Sequence, residues 1–368
     1  MSNKEYFKKF KSSKSKVLAS LVSNGSASRK TLAAELGLTR AFLTKLTTKM
    51  LEENLILTGP EMNEGKVGRK QIMLNVNSNK GYFLGIHIGV DHISIRCSNF
   101  NLEIVGMKRI DFKTLSNFEV DKAINFISEQ CEKYNVHHFL AVSLLVRGSV
   151  INNQATNISV HNVKDRFEEK LHQEVHLINN IVALSAALDF EDKTCSDYIL
   201  VKYGPGIGSL VISNSSILKK QNGEPVEIGH IQIDPNSNNQ CEICHKKGCL
   251  EAEIGFPNLI KIASNGKVSS SDFRVLESYL DKNENLFKNA ISTLTIFMSE
   301  AYDIFDPDMI FLAGEPFNNP KYRQCVHQAM RENNLSLPTD KLLFIDHYIE
   351  ISSKASIIYA FEQYLNNI

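Results

Sequence analysis

Three of the chain's seven cysteines fall within nine residues, in the run CEICHKKGCLE from Cys241 to Glu251, and His230 lies eleven positions upstream. This cluster constrains the fold more than any other feature. Zinc takes four tetrahedral ligands, commonly three thiolates and one imidazole, and His230, Cys241, Cys244 and Cys249 supply that set. With four protein ligands no position is open for water, so the expected zinc is structural. His245 is a spare donor in the same loop and competes for assignment. Clustered cysteines in a chain with no export signal point to metal and a reducing cytoplasm rather than to disulfides. The N-terminal stretch MSNKEYFKKFKSSKSK has basic residues but no apolar core, and no apolar run approaches a membrane span.

At 368 residues, 43% hydrophobic and 22% charged, the chain is long enough for two or three globular domains. Its net charge of zero hides an asymmetry. Residues 1–75 carry 14 Lys or Arg against 6 Asp or Glu, a net of +8, and the remainder carries 27 against 35, a net of −8. A basic head on an acidic body suggests that the head meets a polyanion.

The head's pattern is specific. In SRKTLAAELGLTRAFLTKLTTKMLEENLIL, Ser28 is placed to cap a helix with Leu32, Ala33 and Leu36 inward, and Gly37 breaks it. Thr39 is placed to cap a second helix with Leu43, Leu46 and Met50 inward and Arg40, Ala41, Thr44, Lys45 and Thr48 outward. That is a helix-turn-helix. Leu55–Leu57 and QIMLNV then flank a loop, GKVGRK, as two strands flank a wing. The residues expected at DNA are Ser28 and Arg29, Thr39, Arg40, Thr44 and Lys45, and in the wing Lys66, Arg69 and Lys70. A protein-binding winged helix is the alternative; the charge and the small outward residues favour DNA.

From Gly81 the pattern changes. YFLGIHIG, HISIRCSN and EIVGMKRIDF read as strands, VDKAINFISEQCEKYN as an amphipathic helix and HFLAVSLLV as a buried strand. A second cycle begins at DYILVKYGPGIGSLVISNSSIL. Two similar halves imply an α/β fold with duplicated lobes and a cleft between them.

Several stretches together resemble the ROK family of sugar-responsive repressors and sugar kinases: VEIGHIQID followed by CEICHKKGCLE, FDPDMIFLAG (Phe305–Gly314), and the head with GRKQIMLNVN. The head resembles the repressor branch, of the xylose-repressor and N-acetylglucosamine-repressor type. The resemblance implies a winged helix-turn-helix over residues 1–75 and an actin-like, sugar-kinase-like (ribonuclease H-like) α/β domain over 76–368. Its lobes are expected near 81–195 plus a C-terminal helix at 353–368, and 196–352. The resemblance further implies that Asn179, Asn180, Glu227, His230 and Glu251 bind sugar hydroxyls, since carboxylates accept and a neutral imidazole donates.

The sequence departs from the family where phosphoryl transfer would need it. The family's catalytic aspartate follows an asparagine; here Asn180 follows Asn179, and an amide cannot take the hydroxyl proton. The first phosphate loop reads His87, Ile88, Gly89, Val90, Asp91 in place of a glycine pair and threonine. The second, Tyr203–Ser209, has Pro205 where a hydroxyl residue is usual, and Arg147-Gly148 replaces a proline-glycine turn. The first two cysteines are spaced by two residues rather than one, and His245 replaces the family's glycine. The expected function is therefore a sugar-responsive regulator, a repressor acting as a homodimer or tetramer on operator DNA, with a sugar or sugar phosphate as effector and no catalytic residues. The alternatives are a sugar kinase with a substitute base, and a DNA-binding regulator with a vestigial pocket.

Overall fold

The structure is a computed structural model and describes residues 6–7, 9–62, 71–148, 150–151, 154–155, 162–192, 195–346 and 348–368. These divide into two compact units, residues 1–194 with 353–368, and residues 195–352.

The first unit opens with helical elements whose ends are written in the sequence. Ser12 caps α1 (Ser13–Asn24) by accepting from the Ser15 amide. Strand β1 (Ala27–Ser28) leads into α2 (Arg29–Leu36), and Ser28 Oγ accepts from Thr31 N. Gly37 ends α2 at φ +65°, a left-handed conformation that glycine adopts without a Cβ penalty. Thr39 then caps α3 (Arg40–Glu52) through the Phe42 amide. The apolar stripes turn inward as their spacing requires: Leu18, Leu21, Leu32, Leu43 and Met50 are buried. Strands β2 (Ile56–Met62) and β3 (Gln71–Val76) pair antiparallel, with a bulge between Thr58 and Glu61, and β1 adds to β3. The loop between β2 and β3, with Lys66, Arg69 and Lys70, lies outside the described residues.

A five-stranded sheet follows in the order β10-β7-β4-β5-β6, built from β4 (Tyr82–Ile88), β5 (His92–Asn99), β6 (Ile104–Asp111), β7 (Ala141–Val146) and β10 (His176–Asn179). Short strands β8 (Val150–Ile151) and β9 (Gln154–Ala155) form a separate hairpin. Helices α4 (Asn117–Tyr134) and α5 (Val163–Leu171) bury Val120, Ile127 and Phe167 with Leu84, Ile86, Ile93 and Ile95. The sheet also receives a helix from the far end of the chain, α12 (Tyr348–Asn366). Gly85 permits this approach, because a Cβ there would lie 2.3 Å from Ser356 Oγ. Ser143 Oγ donates to Ser356 O at 2.7 Å across the same contact. Helix α6 (Asn180–Asp192) begins where β10 ends.

The second unit repeats the plan. Its sheet runs β13-β12-β11-β14-β15, from β11 (Tyr198–Tyr203), β12 (Ile207–Ser213), β13 (Ser216–Ile217), β14 (Met309–Ala313) and β15 (Leu342–Phe344). In each unit an antiparallel three-strand meander is extended by two parallel strands, as the duplicated sequence pattern implies. Helices α7 (Leu250–Ile254), α8 (Phe256–Ala263), α9 (Phe273–Leu280), α10 (Glu284–Phe305) and α11 (Pro320–Glu332) complete the unit. Tyr203, Phe256, Phe273, Phe287 and Leu294 lie in its core.

Candidate functional site

Between β13 and α7 the chain has little regular structure, and its shape comes from backbone pairing and two glycines. The Leu250 and Glu251 amides donate to the Ile231 and Gly229 carbonyls, both at 2.9 Å, and the Ile233 amide donates to Gly248 O at 2.7 Å. This pairing lays the Glu227–Ile233 segment beside Gly248–Glu251 and so brings His230 to the cysteines. Gly229 has no room for a side chain: its Cβ would fall 2.0 Å from Ile207 O. Gly248 is as constrained, at φ +63° with a Cβ position 1.7 Å from Asp234 O.

The donor atoms of His230, Cys241, Cys244 and Cys249 all lie within 4.8 Å of one another. Cys241 Sγ is 3.8 Å from His230 Nδ1, so that nitrogen faces the thiols. The Cys241 and Ala252 side of the cluster is also polar: Ile243 N donates to Cys241 Sγ and Ala252 N to Cys249 Sγ, both at 3.4 Å. Cys249 is thus the N-cap of α7. A hydrogen bond from Cys241, with that amide, holds the Cys249 thiol below its ordinary pKa, while the same sulfur contact and burial push Cys241 up to about 12. Three sulfurs with one imidazole nitrogen at these separations fit a tetrahedral metal ion. His245 is exposed and outside this four-residue group. It adopts φ +57°, the conformation for which a glycine is expected after the second cysteine. His is among the residues that tolerate it.

His230 presents its other nitrogen to a carboxylate, with Nε2 3.7 Å from Glu227 Oε2. Burial lowers the imidazole's pKa, but Cys241, Glu251 and Glu227 outweigh it and the net shift is upward. Burial raises the Glu227 carboxyl above its ordinary value, opposed by His230. Glu251, in the first turn of α7, accepts from the Ile207 amide through Oε2 at 2.9 Å, and its Oε1 lies 3.6 Å from Cys241 Sγ. Glu227, His230 and Glu251 therefore form one half-buried group of acceptors and donors around the cluster. The Ile207 contact has a consequence for phosphate. It spends an amide of the Tyr203–Ser209 glycine loop on a carboxylate, which also places negative charge there.

In the first unit the remaining expected residues lie at the β10–α6 junction and the β4–β5 turn. Asn179 is buried, donating to Gly148 O at 2.7 Å and accepting from Ile181 N at 2.8 Å. Both ends of its amide are used within the chain, where they hold the Arg147-Gly148 turn against the start of α6. Asn180 begins α6 and is half-buried. The β4–β5 turn carries a hydrogen bond of its own, between His92 Nδ1 and Asp91 Oδ1 at 2.7 Å, with Arg109 3.7 Å from the same carboxylate oxygen. The His92 ring packs over Gly89, where a Cβ would meet it at 2.8 Å.

In the head, Thr39, Arg40, Thr44 and Lys45 are exposed. Ser28 is a correction. It is buried and its hydroxyl is committed to the Thr31 amide and hydroxyl, so its side chain caps α2 rather than standing exposed. Arg29 is half-buried, with Nε donating to Thr47 Oγ1 at 2.8 Å. Reading by spacing overlooked two residues of α3: Thr47, which is buried, and Phe42, which is 47% exposed.

The chain is similar to several known proteins. The regulator NagC of Escherichia coli K12, described as a DNA-binding transcriptional dual regulator, is 24% identical over 345 residues, covering 85% of this chain and 84% of its own. The xylose repressor of Staphylococcus xylosus is 24% identical over 314 residues, covering 81% and 80%. Among solved structures, a ROK family transcriptional regulator homologous to the E. coli MLC protein shares the fold with a TM-score of 0.69 at 18% identity, over 93% of this chain and 92% of its own. A ROK family glucokinase from Streptomyces griseus, solved with glucose and AMPPNP, has a TM-score of 0.61 at 17% identity, and its whole length spans 77% of this chain. The ROK family model itself matches residues 83–345, the greater part of the sequence, and on that match the chain belongs to the ROK family.

Proposed function

We propose that this chain is a sugar-responsive transcriptional repressor. The observation that carries the reading is a division of losses. The hydroxyl-binding group Glu227, His230 and Glu251 stands assembled around the metal-ligand cluster. The places where phosphoryl transfer needs a base and open amides hold Asn180, the Asp91–His92 pair and the Glu251–Ile207 contact instead. A sensor needs the first group and not the second.

Residues 1–75 act as a winged helix-turn-helix on operator DNA, with Arg40, Thr44 and Lys45 toward the bases and Lys66, Arg69 and Lys70 toward phosphates. The body, 76–368, takes up a sugar or sugar phosphate. Glu227 and Glu251 accept from its hydroxyls and His230 donates. Asn180 is the contact we assign on the first unit, with Asn179 positioning the turn beside it. Zinc on His230, Cys241, Cys244 and Cys249 would supply a fixed knuckle that orients the three hydroxyl-binding side chains. A homodimer matches a two-fold operator, and the ligand alters the spacing of its two heads. The relatives' names point to xylose and N-acetylglucosamine as the first sugars to try. Among the described residues no helix is long and apolar enough to cross a membrane.

The test selects duplexes from a random pool on the full chain, then measures affinity for the selected duplex with and without a panel of pentoses, hexoses, N-acetylhexosamines and their phosphates. One panel member is expected to raise the melting temperature and weaken the DNA complex about 5–150-fold, the usual range of allosteric coupling. Glu227→Ala is expected to lose that response while keeping ligand-free DNA affinity. A panel member that leaves the complex unchanged but is phosphorylated in the presence of ATP would establish the kinase reading instead.

A further inference from the structure

The outer arc of α3 carries one side chain that does not belong to a solvated face. Ala41, Thr44, Lys45 and Thr48 are exposed, and Phe42 is exposed among them. Phe42 sits in the first turn of a capped helix, its backbone amide on Thr39 Oγ1 at 3.3 Å, so the backbone that carries the ring is fixed. One turn onward its helix neighbours are Lys45, which is exposed, and Leu46, which is half-buried. Arg40 and Lys49 are exposed on the same helix, and Lys30 on α2. An apolar ring within a field of cations suits a partner that is anionic overall yet offers an apolar point between its charges.

A DNA major groove has that chemistry. Phosphates line its edges, and the thymine C5-methyl is the apolar group that its base edges present. Residues in the first turn of the second helix of a helix-turn-helix reach those edges. On these grounds we infer that Phe42 reads a thymine methyl in each operator half-site, which makes it a specificity-determining residue beside the polar contacts. The inference rests on the DNA-binding reading above and goes beyond it by assigning one residue to one chemical group.

The ring's position separates its role from that of the lysines. Arg69 and Lys70, assigned to phosphates, add affinity through charge and release counterions, so their loss flattens the salt dependence. Phe42 carries no charge. Its loss removes a sequence preference and leaves the salt slope as it was.

The experiment uses the full chain and the duplex it selects from a random pool. Each thymine is replaced singly by deoxyuridine, which removes the methyl and keeps the base pair. Wild type is expected to lose about fourfold at one thymine per half-site, the worth of one buried methyl group. Phe42→Ala is expected to bind more weakly, to bind thymine and uracil equally at that position, to keep the wild-type salt slope and to melt with wild type. Phe42→Leu, still apolar, is expected to retain part of the discrimination. Wild type indifferent to uracil at every position, while binding the selected duplex normally, would overturn the assignment and leave the DNA reading standing. So would a Phe42→Ala protein that melts several degrees lower, since the ring would then be packed against protein rather than open to a duplex. A chain that selects no duplex at all would instead remove the DNA reading, and this inference with it.

Discussion

Glu362 is 7% exposed on α12 and shares its site with groups from two distant parts of the chain. Tyr6 donates to its carboxylate at 3.3 Å, Lys9 pairs with the same oxygen, and Lys9 Nζ is also 3.8 Å from Asp189. Burial raises the Glu362 carboxyl above its ordinary pKa; Lys9 opposes the rise and Asp189 adds to it. A carboxyl raised in the folded state holds a proton that the unfolded chain gives up. Its contribution to stability is therefore complete below the unfolded value, about 4.3, and is lost as pH rises through the folded value. The expected outcome is a stability difference between wild type and Glu362→Gln that falls as pH rises above the ordinary glutamate range, read from urea midpoints. A difference flat with pH would mean that Glu362 ionises as it does in water. None of this was legible beforehand. The N-terminal stretch shows basic residues and no apolar core, and the Glu362 partner it finds lies 356 positions from Tyr6 and 353 from Lys9.

Helix α7 shows how one cysteine serves two local purposes. It is only five residues long, and its cap is the Cys249 sulfur, a proposed zinc ligand. Cys249→Ala removes both the ligand and the cap; Cys249→Ser keeps an oxygen able to cap but loses the thiolate. Metal analysis of wild type purified under reducing conditions without chelator is expected to give about one zinc per chain, and both variants are expected to lose it. The alanine variant should melt lower than the serine variant by roughly 2–4 °C, since a cap is worth about 1 kcal/mol. A full equivalent of zinc in Cys249→Ala would refute the ligand set. The cluster itself was readable from spacing, because close cysteines limit what a loop can do. What spacing could not supply was the pairing of Gly229 with Glu251, which brings His230 to the sulfurs.

The two units have the same sheet order, and the family they belong to includes kinases, so the whole molecule must be asked whether it turns over ATP. Purified chain, given ATP and each sugar of the panel, is expected to release no ADP above the sugar-free blank. Loss of a general base alone costs about 10²–10⁴-fold. Asn180→Asp is expected not to restore turnover, because the Asp91–His92 pair and the Glu251–Ile207 contact are still in the two loops. Sugar-dependent ADP release by that variant would show that the base was the only defect. Residues 1–75 belong to the first unit and are bonded to the rest of it. Ser15 Oγ donates to Leu365 O at 2.6 Å, and Lys80 Nζ donates to Glu53 O at 2.9 Å.

The sequence by itself determined whatever depends on neighbours along the chain. It set the caps and breaks of α2 and α3, the strands of both sheets and the cluster of cysteines, while the family resemblance, not spacing, marked Asn180 as the place of a missing base. Each of the first three is a local rule, in which a residue's role follows from its chemistry and its spacing. Tertiary structure alone decided which of those residues were used up internally. Ser28 is buried, Asn179 spends its amide on Gly148 and Ile181, and Glu251 takes the Ile207 amide. Burial and hydrogen-bond partners are set by segments far apart in sequence, and no local pattern encodes them. Phe42 is the converse case. Its place in α3 followed from the helical pattern, but only the packed head left its ring in solvent.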